Sequence, residues 1–475
     1  MGRAQSGAGP RRNDRISVRP TRLRLLFSSL LAAFAGALPR RLAKEPSRWL
    51  PELELYELRR AAPRSAPASE ASDPVYVEME RSIRDFQRIH GDANATSTML
   101  EAMLKEHMDA VVLVLGNRVF LSNVHELKLK KQAYMVAGIA RKLGLPNVLF
   151  LHSSASSGGP NGGGKCYRAN RGHRDLPTTV IGKRWGYGQC GLLVPNPYFG
   201  YGNLDKWATN LTNYEAAAAS RPFQGRDKRV LWRGVLKQRA PCDRDGGNFA
   251  RLSALALTKE RPQLFDVKCS GVCLPRNETL KPCASLPYDP GMAAAAADVP
   301  QSDAWVKSES YADHAYLLNL PGESSGSYSR NLNHLWSMGS VVFLWDVRLV
   351  EFYYPGLKDG ETHVSLRRAT AAASVERVRN DAALEQSLVE GSRGVAKKLV
   401  CAGCIERYYK AALLGLRERS KQGDVLDHRK SVKRLLRHTN CEKLFEVVPS
   451  GDDFQLAKVD NCDDVLKRAG RRRTA

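Results

Sequence analysis

Residues 316–363, YLLNLPGESSGSYSRNLNHLWSMGSVVFLWDVRLVEFYYPGLKDGETH, constrain the fold more than any other stretch of the chain. An apolar run at 316–320 leads into a turn rich in Gly and Ser at 321–329. Arg330 then heads a helical pattern with Leu332, Leu335, Trp336 and Met338 on its bulky positions. After Gly339-Ser340 comes VVFLW, with the length and β-branching of a buried parallel strand. Strand, turn, helix and strand make a β-α-β unit, which places the chain in the α/β class. A flexible turn before a helix N-terminus suits an anion, because free backbone N–H groups and the positive helix end face it. A guanidinium adds a bidentate contact, and Arg330 is the first candidate to supply it.

With 475 residues, 43% of them hydrophobic, the chain has room for two or three domains with sizeable cores. A formal charge of +24 raises the possibility of a nucleic-acid partner. The cations, however, gather at residues 1–64, 417–437 and 471–473, with no zinc-finger spacing or aromatic-basic signature. Charge of that kind speaks first to solubility and non-specific partners, and argues against nucleic acid; the basic tail suits acidic polysaccharide or membrane headgroups.

Residues 11–24 are basic and are followed by LLFSSLLAAFAGAL at 25–38. This run is short of the roughly twenty residues a bilayer span needs and matches a signal-peptide core of about 7–15. Residues 1–40 are expected to be a signal peptide or a short type II membrane anchor, with an organellar transit peptide as the rival. Residues 41–74, rich in Pro and Ala, read as a stem or linker. Ten cysteines fit a disulfide-bonded lumenal protein, and disulfides are favoured over metal or redox work for Cys269-x3-Cys273 and Cys401-x2-Cys404. Asn-x-Thr triplets at Asn94, Asn210 and Asn277 are candidate glycosylation sites and agree with a secretory route.

The folded part is expected from about Val75. Residues 76–108 read as helical, 110–116 as a strand, 127–143 as a helix stopped by Gly144 and Pro146, and 147–152 as a strand. That alternation predicts a parallel sheet covered by helices. The Gly/Ser-rich loop that follows reads equally as a surface insertion or as an active-site loop at a strand's carboxyl end. GLLVPNPYF at 191–199 is a further short strand, and a junction falls near 215–228. VLWRGVL at 230–236 opens a second α/β unit, so the domains are 75–220 and 225–400, with a closing helix and basic tail at 401–475. Arg233, inside an apolar strand, must meet an anion, either an internal carboxylate or a bound phosphate. Asp243-Arg244-Asp245 has the form of a metal-binding D-x-D, but it follows no convincing strand end and reads better as a solvated loop.

Trp232-Arg233-Gly234, then Arg251-Leu252, then 316–363 with Glu351-Phe352, Tyr354-Pro355-Gly356-Leu357 and His363, resemble family 90 glycosyltransferases in order and spacing. The helical pattern ending in Tyr408-Tyr409 is similar as well, and the resemblance spans roughly residues 108–416. It implies a GT-B-type fold: two Rossmann-like domains with parallel sheets and a nucleotide-sugar cleft between them. It also implies transfer of glucose or xylose from a UDP-sugar, with inversion and without a metal, to a protein or polysaccharide hydroxyl in the Golgi or endoplasmic reticulum. Carried over by position, Arg330 and Arg233 would balance the diphosphate, while Arg251, Gly322, Ser327, Gly339 and Ser340 would lie by the donor. Glu351 would contact the ribose or uracil side. The family's catalytic Asp has no counterpart, since the matching region reads His152-Ser153-Ser154-Ala155-Ser156; His152 and Asp175 are the substitute bases. The pattern at His363-Val364-Ser365 is altered too. Two functions stay open, an active UDP-sugar transferase and a transferase-like protein that binds nucleotide sugar or glycan without turnover.

Overall fold

The computed structural model describes residues 73–84, 93–106, 111–122, 127–153, 168–169, 174–184, 191–236, 247–271, 273, 281, 286–302, 306–322, 331–347, 349–437 and 441–470. Helices α1 (Pro74–Arg84) and α2 (Ala93–Glu106) precede strands β1 (Val111–Leu115) and β2 (Arg118–Ser122), which pair antiparallel. Between them lie only Gly116 and Asn117, with φ of 56° and 61°. Positive φ at both positions gives the tight hairpin turn whose twist matches that of the flanking strands. Helix α3 (Leu127–Leu143) then crosses to β3 (Val148–Ser153), which runs antiparallel to β1. The parallel pairing expected for 110–116 and 147–152 is thus corrected: the hairpin reverses the chain first, and it is β2 that the crossover joins to β3.

Gly116 carries more than the turn. A methyl group built on it would lie 2.3 Å from the carbonyl oxygen of Ala469. Gly116→Ala is therefore expected to destabilise by ~1–3 kcal/mol, through the left-handed backbone and the clash together, seen as a lower urea midpoint at unchanged slope.

The first half continues through short strands β4 (Arg168–Ala169), β5 (Arg174–Asp175), β6 (Thr178–Val180), β7 (Lys183–Arg184) and β8 (Leu192–Leu193) to helix α4 (Leu204–Ala219). Strands β3, β6 and β8 are mutually parallel.

The second half runs β9 (Asp227–Gly234), α5 (Gly247–Glu260), β10 (Phe265–Cys269), α6 (Pro290–Ala297), β11 (His314–Asn319), α7 (Leu332–Leu335), β12 (Val341–Trp345), β13 (Leu349–Val350), β14 (Val364–Leu366), α8 (Ala371–Asn380) and α9 (Ala382–Lys398). Its five-stranded sheet is parallel throughout, in the order β10-β9-β11-β12-β14. Apolar side chains of one face, among them Trp232, Tyr316 and Phe343, join a core with α5, α6, α8 and α9. Burial on that scale is why these strands read as continuous apolar runs. Helix α7 is shorter than the pattern at 330–338 suggested: Trp336 and Met338 are fully buried beyond its end, so packing rather than helix continuity sets their spacing.

The chain then returns to the first half through α10 (Ala402–Arg419), α11 (Gly423–Leu426), α12 (Arg429–Arg437), β15 (Leu444–Ser450), β16 (Asp453–Lys458) and α13 (Cys462–Gly470). The first sheet is consequently seven-stranded and mixed, in the order β16-β15-β2-β1-β3-β6-β8. Disulfides join Cys269 to Cys273, Cys401 to Cys404 and Cys441 to Cys462, as an oxidising, secretory-type environment allows. Cys166, Cys190, Cys242 and Cys283 lie outside the described residues, as does the expected anchor at 1–40. Among the described residues no helix is long and apolar enough to cross a membrane.

Candidate functional site

In the parallel sheet the chain leaves β9 in one direction to reach β10, and places β11, β12 and β14 on the other side. The crevice at the carboxyl ends of β9 and β11 is the point where that order reverses, and open α/β sheets hold ligands there. Arg233 is the next-to-last residue of β9. Its guanidinium donates to Asp266 Oδ2 at 2.7 Å and to the Trp232 carbonyl at 2.9 Å. The internal carboxylate is thus the anion that Arg233 meets. Burial by itself would raise the Asp266 carboxyl, but the hydrogen bond and charge of Arg233, joined by Lys268, hold it below the usual carboxylate range. Lys268 Nζ lies 3.0 Å from Asp266 Oδ1, so two cations share one carboxylate and leave an excess positive charge.

Arg251, buried on α5, closes the crevice from the side. It donates to the Val235 carbonyl at 2.7 Å and the Pro321 carbonyl at 3.2 Å, the segments that leave β9 and β11. Its guanidinium also lies 5.7 Å from the Trp232 ring centre. Gly322 is buried next to Pro321. Asn331 Nδ2 donates to the Arg233 carbonyl at 3.2 Å. Arg330 and Ser327 lie outside the described residues, and so does Asp243-Arg244-Asp245. Among the described residues no group of three His, Cys, Asp or Glu could hold a metal ion.

Gly339 and Ser340 are not brought to this crevice. They precede β12 and so lie at the amino edge of the sheet, where Arg226 Nη1 donates to the Gly339 carbonyl and to Ser340 Oγ, both at 2.9 Å. Ser340 Oγ in turn donates to the carbonyl of His314, the first residue of β11, at 2.7 Å. A β-α-β crossover carries the chain from the carboxyl edge of one strand to the amino edge of the next, so the end of the helix cannot share an edge with its beginning.

Glu351 is 1% exposed and receives a hydrogen bond from Asn196 Nδ2 at 2.8 Å, while Oε1 has no partner among the described residues. Burial pushes its carboxyl up to about 8, against the pull of the Asn196 bond. Asn196 and Asn333 exchange a second pair of bonds at 3.1 and 3.2 Å. The network joins the segment after β8 to α7 and to the segment after β13, and beside it β7 and β13 pair antiparallel. Sequence reasoning missed Asn196 and Asn333. The available signal was Pro195-Asn196-Pro197, a polar side chain at the end of an apolar run between residues that lack a backbone donor.

His152 is next to last in β3 and 1% exposed. Its Nδ1 lies 2.8 Å from Thr179 Oγ1, its Nε2 has no partner among the described residues, and burial depresses its pKa to about 3. Asp175 pairs with Arg168 in the β4-β5 ladder, and its side chain lies outside the described residues. Asn94 and Asn210 both fall within helices, α2 and α4, rather than in the surface loops that glycosylation favours; Asn277 lies outside the described residues. No protein-family model matches the chain, and no curated protein matches it.

Proposed function

We propose that the chain is an inverting glycosyltransferase that moves a sugar from a UDP-sugar to a protein or polysaccharide hydroxyl, its two halves arranged in the GT-B manner around the donor. The observation that carries this is Arg251, which spans the segments leaving β9 and β11 at the switch point, with Arg233 close by near the end of β9, held together with Lys268 by Asp266 on the neighbouring strand β10. A leaving UDP gains negative charge in the transition state, and guanidinium groups already held in place stabilise it without reorganisation. Arg330, one residue before Asn331, is the candidate for direct contact with the diphosphate. The bonds of Asn196 to Asn333 and Glu351 support a donor site bounded by both halves.

His152 is the candidate base. Burial keeps its imidazole neutral at physiological pH and so able to accept a proton, but its low pKa makes it a weak base. That weakness favours a second reading, nucleotide-sugar binding without turnover. UDP release from a panel of UDP-sugars separates the two. Wild type is expected to release UDP, and Arg330→Ala to lower the rate about a hundredfold, the scale for losing one preorganised charge-stabilising group. Binding without release supports the second reading, and failure to bind any UDP-sugar removes both.

A further inference from the structure

Helix α12, RKSVKRLLR, divides its residues cleanly. Val432, Leu435 and Leu436 are buried in the core of the first half with Leu113, Phe120 and Leu444. Arg429, Lys430, Lys433, Arg434 and Arg437 are all exposed, and the helix contains no acidic residue. These cations stand at spacings of one, three, one and three residues, which at 1.5 Å per residue makes a stripe of about 12 Å along one face.

Lys433 lies 3.6 Å from Asp463 on α13. Arg429, Lys430, Arg434 and Arg437 have no carboxylate partner among the described residues. Half-buried arginines elsewhere are matched, Arg368 by Glu260 and Asp289, Arg417 by Asp427, and Arg468 by Glu446 and Asp464; what sets α12 apart is that its cations are gathered on one face. Like charges one helical turn apart oppose the helix that carries them. A stripe held against that repulsion, with its apolar side fixed in the core, is complementary to a linear polyanion.

The Cys441–Cys462 disulfide begins four residues after Arg437 and links the end of this segment to α13. It assigns the face to an oxidising compartment. The anionic lipid of the cytoplasmic leaflet and nucleic acid are not met there, whereas polysaccharides bearing sulfate or carboxylate groups are. We propose that the outer face of α12 is a docking surface for acidic polysaccharide, separate from the switch-point crevice and independent of its assignment to a UDP-sugar.

The test uses the full chain with immobilised heparin as the sulfated probe, dextran as the uncharged one, and vesicles of phosphatidylcholine with phosphatidylserine. Lys430→Glu/Arg434→Glu lowers the net charge of the stripe by four units, and Arg377→Glu/Arg379→Glu lowers that of exposed positions on α8 by the same amount. All four side chains are exposed, so little packing is lost, and matched melting curves verify the fold. Wild type and the α8 variant are expected to bind heparin with a steep salt dependence, and the α12 variant to bind at least about tenfold more weakly. Equal loss in both variants would assign binding to net charge and overturn the proposal. So would heparin binding no tighter than dextran, or vesicles that bind the chain more tightly than heparin.

Discussion

Glu351→Gln is expected to flatten the pH dependence of unfolding and to stabilise the protein above neutral pH. In the unfolded chain this carboxyl ionises near 4.5, whereas in the folded protein it stays protonated up to about 8. Between those values the native state holds a proton that the unfolded state has released, so stability falls as pH rises. The full difference is on the order of 3–5 kcal/mol, present below pH ~4.5 and lost as pH passes ~8. Glutamine has the shape of the protonated acid and no charge to lose. Its carbonyl can accept the Asn196 bond as Glu351 Oε2 does. Urea unfolding from pH 5 to pH 9 provides the check. A wild-type curve no steeper than that of the variant would mean the carboxyl is ionised in place, and would point to a partner for Oε1.

The second large effect belongs to Arg233. Arg233→Met leaves Asp266 buried with only the half-exposed Lys268 beside it, and breaking a buried pair from one side costs ~3–5 kcal/mol. Replacing both, as Arg233→Met/Asp266→Leu, is expected to cost less than the single change and to be close to neutral, since apolar pairs of similar volume often substitute for buried ion pairs. Denaturant midpoints of the four proteins in this cycle give the coupling directly. UDP affinity measured on the stable double variant then isolates the donor role of the guanidinium from its structural one. If the double variant folds normally and binds UDP as wild type does, Arg233 serves the fold alone.

The three middle strands of the parallel sheet, β9, β11 and β12, were legible in the sequence, for a physical reason. Strands buried on both faces, such as VVFLW and the core of VLWRG, cannot conceal their character behind polar residues. The β1-β2 hairpin was missed because its turn is only Gly116-Asn117: the expected strand stopped at 116, and the five residues that follow were too short a run to read as a second one. Strands β15 and β16 were missed for a different reason: β16 alternates exposed and half-buried residues, so an edge hairpin of this kind reads as a polar tail. The site divided along similar lines. Arg233 was flagged by the cost of burying charge, but Asp266, a strand away, was not. Asn196 and Glu351 are 155 residues apart, and no local pattern reports a bond over that distance.

The pairing of β15 with β2 has a consequence for biosynthesis. The parallel sheet draws its strands from 227–366 in one continuous segment, whereas the mixed sheet needs 111–193 and then 444–458. As the chain leaves the ribosome, β2 emerges first but stays an open edge through some 300 further residues, at synthesis rates of roughly 5–20 residues per second. The half made later can complete its sheet before the half made earlier. During that interval the edge of β2 presents unpaired backbone N–H and C=O groups, the kind of surface to which another strand can add.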